Sequence, residues 1–395
     1  MTDFYDHLSV QLDQLDRQGL RRALVDVTGT GQGRLLAPSG RPCLNLSGND
    51  YLGLAGNREL VAELYRGIDE RTLLERFAPG ATASRLMSGN SVLYTVLERK
   101  IANLYGSETC LVFNSGYHGN TGILPALAGK GDLILADRLC HASLIDGMRL
   151  SRAETVRYRH QDYDHLAQLL RRKRRSFRHV FLVSESLFSM DGDSADLRRL
   201  IALKKEFQAI LYLDEAHAVG VYGPRGLGLA EQEGVLADID LLFGTFGKAL
   251  AGLGGFVACR QAVADTLVNR ARSFIYTTGL PPVCLSWLLL VLDRIPGMGA
   301  DRRRLHDLAA GLRRELVRLG LPTGGTSQIV PVGIGESEAA VRVALQLREA
   351  GYWVTAVRPP TVPAGTARLR LSLTADMAAA ELAPLPALIA EAMGR

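Results

Sequence analysis

The chain lacks the features of disulfide-stabilised, secreted and membrane-spanning proteins. Its 395 residues include five cysteines, an odd number, and no CxxC pair: Cys43, Cys110, Cys140, Cys259 and Cys284. We therefore expect reduced, mostly buried thiols. The longest apolar run, Leu285 to Leu292, is too short to span a bilayer, and the acidic N-terminus has no apolar signal region. These absences predict a cytoplasmic protein without a membrane partner.

Strong positive charge is also absent, since the net charge is only +5. Much of it lies in one run, Arg171-Arg172-Lys173-Arg174-Arg175. Such a run can bind nucleic acid, which would give steeply salt-dependent binding. No interleaved aromatic residues or zinc-ligand spacing accompany it, and Leu166, Leu169 and Leu170 precede it at helical spacing. We interpret the run as a solvated helix end and expect no nucleic-acid partner.

Short apolar runs alternate with helix-like segments between about residues 90 and 260. Runs apolar on both faces and separated by helices predict an α/β fold with a mostly parallel sheet. The runs are Thr109–Phe113, Leu133–Ala136, Val180–Ser184, Ile210–Leu213, Leu241–Phe243 and Gly255–Ala258. We predict an N-terminal helix over residues 3–25, followed by a short strand within a segment covering 1–55. A large domain over 56–295 and a small C-terminal α+β domain over 296–395 complete the prediction.

Lys248 stands in an unusually uncharged setting, Phe243-Gly244-Thr245-Phe246-Gly247-Lys248-Ala249-Leu250. Shielding from water favours the neutral amine, which is a nucleophile that forms a Schiff base with an aldehyde. Upstream, Asp214-Glu215-Ala216-His217 follows another apolar run. A Schiff-base lysine and an aspartate that pairs with a pyridinium nitrogen are what pyridoxal phosphate (PLP) requires. Lys248 alone could equally be a lysine whose amine reaches solvent from a strand end.

Other polar or glycine-rich turns follow the predicted strands. Asn114-Ser115-Gly116-Tyr117-His118 precedes a helix-like segment, where backbone N–H groups can approach a phosphate. Asp137-Arg138-Leu139-Cys140-His141 and Ser186-Leu187-Phe188-Ser189 follow two further strands. Because the carboxyl ends of parallel strands form the ligand-binding edge of an open α/β sheet, these turns are expected to converge.

Taken together, the motifs resemble those of the α-oxoamine synthase family of fold-type I PLP enzymes. They are Ser47–Leu54, Ser84–Gly89, Asp137–Ser143, Phe188–Asp193, Asp214–His217 and Gly244–Lys248. Members of that family condense an amino acid with an acyl-CoA and release carbon dioxide. The resemblance therefore implies a PLP-dependent acyltransferase of fold type I, whose large domain has a mostly parallel, seven-stranded type of sheet.

The resemblance also implies roles for individual residues. Lys248 holds the cofactor and moves the Cα proton, Asp214 pairs with the pyridine nitrogen, His217 binds the phenolic oxygen, and His141 stacks on the ring. Gly116, Tyr117 and Thr245 would bind the phosphate, and Ser189 would lie near a cofactor oxygen. Thr277 and Thr278 match positions that reach the phosphate of a partner subunit, which implies a homodimer with its active site at the interface. Asn49 and Arg370 match residues that hold the amino-acid carboxylate, and Arg21 matches a contact to the acyl substrate.

The segment Trp353–Thr374 resembles that of family members that condense L-alanine with a pimeloyl thioester, carried on CoA or on acyl carrier protein. Glycine with acetyl-CoA, or serine with a long acyl-CoA, remain alternative substrates. A catalytically inactive structural subunit is an alternative of another class, although such subunits lack the Schiff-base lysine. No metal is expected.

Overall fold

The computed structural model describes residues 3–395, which form two compact units. The first contains the described residues up to Gly56, together with Met190–Gly192 and Arg304–Arg395, and the second contains Asn57–Ser189 and Asp193–Arg303. The sequence predicts a segment over 1–55 that is separate from a C-terminal domain over 296–395. In the structure both belong largely to the first unit, because a strand near residue 352 pairs with a strand near residue 44.

The N-terminal part of the first unit has one helix and three short strands: α1 (Phe4–Arg17), β1 (Thr28–Gly31), β2 (Arg34–Leu36) and β3 (Pro42–Asn45). The predicted helix over residues 3–25 is wrong beyond Arg17. Apolar residues continue at helical spacing past this point, but Gly19 adopts a left-handed φ of 61° and the chain leaves the helix. All of α1 is exposed.

The second unit contains most of the secondary structure. Its helices are α2 (Arg58–Arg66), α3 (Leu73–Phe77), α4 (Val92–Tyr105), α5 (Gly116–Leu127), α6 (Ala142–Leu150), α7 (Tyr163–Lys173), α8 (Leu197–Phe207), α9 (Leu229–Gln232), α10 (Gln261–Arg270), α11 (Arg272–Ile275) and α12 (Pro282–Arg294). Its strands are β4 (Thr109–Phe113), β5 (Leu133–Asp137), β6 (Glu154–Tyr158), β7 (Val180–Glu185), β8 (Ile210–Asp214), β9 (Leu241–Thr245) and β10 (Gly255–Cys259).

These strands form one seven-stranded sheet in the order β4-β10-β9-β8-β7-β5-β6. Strands β5 to β9 pair in parallel, and β10 runs antiparallel to both of its neighbours. Every residue of β5, β7, β9 and β10 is buried, which explains their continuous apolar runs. The predicted mostly parallel α/β sheet is therefore confirmed. The edge strand β6 was not predicted, because its residues are polar and mainly exposed.

The C-terminal part of the first unit is α+β, as predicted. It contains β11 (Ile329–Gly335), α14 (Ser337–Glu349), β12 (Tyr352–Trp353), β13 (Ala356–Val357), β14 (Ala367–Ser372), α15 (Ala379–Leu382) and α16 (Leu385–Ala392), preceded by α13 (Gly299–Arg318). The sheets have the orders β1-β2-β3-β12 and β11-β14-β13. The segment Tyr352–Val357 divides its pairing between the two sheets and so forms two short strands.

The basic run ends α7, as predicted. Arg171 and Arg172 are exposed in its last turn, and Arg174 Nε donates to the carbonyl oxygen of Phe207 at 2.7 Å. The predicted thiols are confirmed as free, with four buried and Cys284 half-buried. Among residues 3–395, no single helix is long and apolar enough to cross a membrane, although the bent pair Pro282–Gly297 and Gly299–Arg318 reaches that length and composition together.

Candidate active site

A cavity of about 200 Å³ lies at the carboxyl edge of the seven-stranded sheet in the second unit. Its lining comes from the ends of β7, β8 and β9 and from the starts of α5 and α6. The lining residues are Gly116, Tyr117, Asn120, His141, Ser143, Glu185, Asp214, Ala216, His217, Phe243, Thr245 and Lys248. The structure thus brings together seven of the ten residues that the sequence predicts for cofactor binding. This position agrees with the rule that open α/β sheets bind ligands at the carboxyl ends of their strands.

Asp214 is the last residue of β8, and its side chain is held as a hydrogen-bond acceptor. Its Oδ1 accepts from the Ala216 backbone N–H at 2.8 Å, and its Oδ2 accepts from Asn120 Nδ2 at 2.8 Å. The residue is only 4% exposed. The two N–H donors fix the direction of the carboxylate at the edge of the cavity. Asp214 is therefore suited to pair with a protonated ring nitrogen.

His141 is the N-cap of α6 and lies on the cavity wall. Its Nδ1 accepts from the Ser143 backbone N–H at 3.2 Å and lies 2.7 Å from Ser143 Oγ. Burial lowers the pKa of His141; Asp214 opposes this effect and the Lys248 cation adds to it. The imidazole is thus biased towards its neutral form, which can stack on a cationic ring without charge repulsion.

Glu185 ends β7 and is a cavity-lining carboxyl group to which the sequence analysis assigns no role. Its Oε1 accepts the His141 backbone N–H at 2.5 Å, and the residue is 3% exposed. Burial and the neighbouring Asp214 carboxylate raise the pKa of Glu185, while Lys248 opposes the rise. Glu185 therefore anchors the start of α6 at the cavity.

The N-terminus of α5 opens onto the same cavity through Gly116 and Tyr117. The first N–H groups of a helix have no partner within the helix, and the helix dipole favours an anion there. A Cβ added to Gly116 would lie 3.5 Å from Thr245 Oγ1, so a side chain would occupy this corner. The Thr245 hydroxyl donates to the Gly254 carbonyl oxygen at 3.0 Å and must rotate to donate to an anion.

The groups around the cavity fit PLP. Lys248 follows β9 and is half-buried, and His217 follows β8 and is 5% exposed. Together with Asp214, His141 and the start of α5, they provide an amine, a carboxylate, an imidazole and an anion-binding helix end. These groups match, in that order, what the aldehyde, the ring nitrogen, the ring face and the phosphate of PLP require.

Three predicted cofactor residues do not line the cavity within one chain. Ser189 is half-buried in the segment that follows β7, where the Phe188 N–H donates to the Asp193 carbonyl oxygen at 2.9 Å. Thr277 Oγ1 accepts from Asn114 Nδ2 at 3.4 Å, and the same amide donates to the Thr278 carbonyl oxygen. Contacts from the two threonines to a partner subunit stay a prediction.

Two of the three predicted substrate residues contact each other in the first unit. Arg370 Nη2, on β14, donates to Asn49 Oδ1 at 3.1 Å and to the Tyr51 hydroxyl at 3.3 Å. The Tyr51 hydroxyl also donates to Asn49 Oδ1 at 3.1 Å. Arg21 is exposed and pairs with Asp16 at 2.5 Å. No role was assigned to Tyr51, which is fully buried.

Comparisons with known proteins define the class. The family model for aminotransferase class I and II matches residues 41–387. The chain therefore belongs to this family. It is a PLP-dependent transferase of fold type I, as the sequence predicts.

The chain is also 51% identical, over 95% of its length and 96% of the relative's, to the 8-amino-7-oxononanoate synthase of Chlorobaculum parvum. Among solved structures, serine palmitoyltransferase from S. paucimobilis, with PLP and myriocin bound, matches with a TM-score of 0.90, 28% identity and full coverage of both chains. The 8-amino-7-oxononanoate synthase of Francisella tularensis matches with a TM-score of 0.74 and 27% identity, covering 88% of this chain and 97% of that one. The predicted resemblance to PLP-dependent acyltransferases is confirmed.

Within residues 3–395, no three or more His, Cys, Asp or Glu side chains are grouped so that they could hold a metal ion.

Proposed function

We propose that this chain condenses L-alanine with a pimeloyl thioester to give 8-amino-7-oxononanoate, carbon dioxide and the free thiol carrier, a step of biotin biosynthesis. The observation that carries the proposal is the 51% identity, over 95% of the chain, to a synthase of that name. The convergence of the predicted residues on one cavity supports the chemistry. A catalytically inactive subunit is disfavoured because Lys248, Asp214 and His217 all line that cavity.

Bound PLP supplies an electron sink that stabilises negative charge at the amino-acid Cα. Lys248 would hold the cofactor through its ε-amino group and then, released by the incoming substrate amine, remove the Cα proton. The same amine can return a proton after carbon dioxide leaves. Its place in the cavity, after β9, keeps it at the carboxyl edge of the sheet, where both tasks occur.

The cavity residues would hold the cofactor in one orientation. Asp214 keeps the ring nitrogen protonated, His217 donates to the phenolic oxygen, and His141 packs on the ring. The N-terminus of α5 and Thr245 bind the phosphate, with Ser189 near a cofactor oxygen. In a homodimer, Thr277 and Thr278 would reach the phosphate bound by the partner subunit.

Arg370 and Asn49 would bind the alanine carboxylate. A guanidinium binds a carboxylate through two parallel hydrogen bonds and so fixes its direction. That direction decides which bond at Cα stands perpendicular to the cofactor ring and breaks. Arg21 would contact the acyl chain. Its exposure is consistent with a role at an entrance.

A second candidate reaction is the condensation of serine with a long acyl-CoA. It is favoured by the TM-score of 0.90 to serine palmitoyltransferase, although identity to that protein is 28%. Glycine with acetyl-CoA is a further alternative within the same family. These three reactions are separated by a panel that crosses alanine, glycine and serine with pimeloyl, acetyl and palmitoyl thioesters. Turnover is measured as release of the free thiol.

We expect turnover with alanine and the pimeloyl thioester, and the same assay with CoA and acyl carrier protein identifies the carrier. Turnover only with serine and palmitoyl-CoA would overturn the substrate assignment and keep the chemistry. Borohydride should fix the cofactor to Lys248, as mapped by peptide mass. Lys248→Ala should remain unlabelled, whereas Lys130→Ala, which removes an exposed lysine, should label normally. We also propose that the enzyme acts in the cytoplasm.

A further inference from the structure

A buried pair, an asparagine of the cavity wall and a tyrosine behind it, joins the ionisable groups of the cavity. Tyr212, on β8, is 0% exposed, and Asn120, on α5, is 2% exposed. The Tyr212 hydroxyl donates to Asn120 Oδ1 at 2.5 Å. The amide nitrogen of Asn120 therefore points to Asp214. If the amide were turned over, its oxygen would face the Asp214 carboxylate with no proton between them, so the tyrosine and the aspartate require the same orientation.

Asn120 Nδ2 has two hydrogens, and both are used. One is donated to Asp214 Oδ2 at 2.8 Å, and the other to Ser143 Oγ at 2.9 Å. Because Ser143 Oγ accepts from the amide, its own hydrogen can be donated to His141 Nδ1, 2.7 Å away. The Ser143 backbone N–H also points to that nitrogen, at 3.2 Å. His141 Nδ1 is thus an acceptor, which leaves the proton on Nε2.

We propose that Asn120, oriented by Tyr212, is a positioning residue that fixes the direction of the Asp214 carboxylate and holds His141 as its Nε2–H form, and thereby sets the affinity for PLP. The proposal rests on the proposed roles of Asp214 and His141 towards the ring. Asn120 acts through both groups at once because its one amide bonds directly to Asp214 and, through Ser143, to His141. Tyr212 acts only through Asn120, since the described contacts of its hydroxyl lead there.

The test measures the dissociation constant of PLP from the apoprotein by absorbance titration. Asn120→Ala removes a hydrogen bond to a buried charge, so we expect the dissociation constant to rise about 10- to 100-fold. Tyr212→Phe leaves the Asn120 amide in place but removes the hydrogen bond that orients it. We expect this change to raise the dissociation constant of PLP about 3- to 10-fold. The double variant should have the same dissociation constant as Asn120→Ala alone, because Tyr212 then has no amide left to orient.

Tyr105→Phe is the matched control. Tyr105 is also buried, its hydroxyl has no hydrogen-bond partner among residues 3–395, and it does not line the cavity. Its removal should leave the dissociation constant unchanged. In the PLP-loaded proteins, the midpoint of the pH-dependent change in the visible absorption band should shift in Asn120→Ala and Tyr212→Phe and stay at the wild-type value in Tyr105→Phe. A purely structural role would change the melting temperature without moving that midpoint.

Two outcomes would overturn the proposal while the proposed function stands. One is an Asn120→Ala variant with the wild-type affinity for PLP and the wild-type pH midpoint of the absorption band. The other is a double variant whose loss of PLP affinity is the product of the two single losses. If Asn120→Ala fails to fold, Tyr212→Phe decides alone, since it removes only one oxygen atom, and wild-type values there would count against the proposal. A wild-type protein that binds no PLP would instead overturn the function itself.

Discussion

At the scale of single residues, the proposed substrate carboxylate site contains a guanidinium that is hydrogen-bonded to two side-chain oxygens. Arg370 Nη2 donates to Asn49 Oδ1 and to the Tyr51 hydroxyl. Arg370→Lys keeps the charge but loses the planar pair of donors, so we predict that the KM for the amino acid rises about 10- to 100-fold. Tyr51→Phe leaves the guanidinium less fixed and should raise the KM about 3- to 10-fold.

Steady-state kinetics with varied amino acid and saturating acyl donor measure both effects. Arg342→Lys, an exposed arginine of α14, is the control and should behave as the wild type. An unchanged KM in Arg370→Lys would contradict the assignment of Arg370. A fall in kcat without a change in KM would place Arg370 elsewhere in the reaction.

His160 is held between two carboxylates beside the segment that carries Ser189. Its Nδ1 lies 2.8 Å from Asp137 Oδ1 and its Nε2 lies 2.8 Å from Asp193 Oδ2, while its ring packs edge-on against Phe188. Burial alone would lower the pKa of His160, but the hydrogen bonds to the two aspartates outweigh it and raise the pKa to about 10. The imidazolium therefore stabilises the folded state.

The direction of the pH effect follows from this rise. A group whose pKa is higher in the folded protein contributes fully below its unfolded pKa, here 6.5, and loses that contribution as the pH rises through about 10. We predict that the free energy of unfolding falls by about 4 kcal/mol more between pH 6.5 and 10 in the wild type than in His160→Gln. Urea titrations at several pH values test this. The control is His179→Gln, which replaces an exposed histidine and should keep the wild-type dependence of the free energy of unfolding on pH. The same pH dependence in His160→Gln as in the wild type would contradict the prediction.

At the scale of elements, the packing of α5 against α6 controls the cavity, because α5 carries Gly116 and Asn120 while α6 begins after His141. A Cβ added to Gly147 of α6 would lie 2.3 Å from the Asn120 carbonyl oxygen. Such a contact forces the helices apart, so Gly147→Ala should lower the free energy of unfolding by about 1–3 kcal/mol and weaken PLP binding. Gly129→Ala adds a methyl group with nothing within 4 Å and should change neither. Denaturant unfolding and PLP titration measure both, and wild-type values in Gly147→Ala would show that the helices tolerate the shift.

The strands that could be predicted from the sequence are those whose burial requires a continuous run of apolar residues. Strands β5, β7 and β9 are buried throughout, so their apolar runs mark them. The edge strand β6 has one buried residue, Tyr158, and an edge position needs no such run. The N-terminal helix was predicted too long because periodicity does not register a single left-handed residue, here Gly19.

The same reason explains which parts of the site were found. Lys248, Asp214 and His217 are ionisable residues at strand ends, which the parallel sheet places along one edge. Asn120 lies inside helix α5 and Tyr212 inside an apolar strand, where the sequence offers no sign of polar function. Their partnership depends on a contact between residues 92 positions apart, which only the folded chain shows.

At the scale of the whole molecule, the proposed active site needs two chains. Large apolar side chains of the second unit remain exposed in a single chain, among them Met87, Tyr117, Leu253 and Tyr276. Thr277 and Thr278 follow Tyr276 directly and do not line the cavity of their own chain. Both observations are consistent with a homodimer in which these residues meet the partner's cofactor.

Subunit complementation tests this arrangement. Lys248→Ala should abolish activity by itself, and the double variant Thr277→Val/Thr278→Val should be strongly impaired in cofactor binding and activity. A mixed dimer of the two contains one damaged site with both lesions and one intact site, because each site takes its lysine from one chain and its threonines from the other. With random pairing, half of the dimers are mixed, so activity should recover to about a quarter of the wild-type value.

Lys248→Ala mixed with Asp214→Asn is the matched control: these residues line the same cavity of one chain, so every mixed site stays damaged and activity should not recover. If the threonine variant also fails to restore activity, although the mixed dimer forms and binds PLP, the threonines serve their own chain and the shared-site arrangement is wrong.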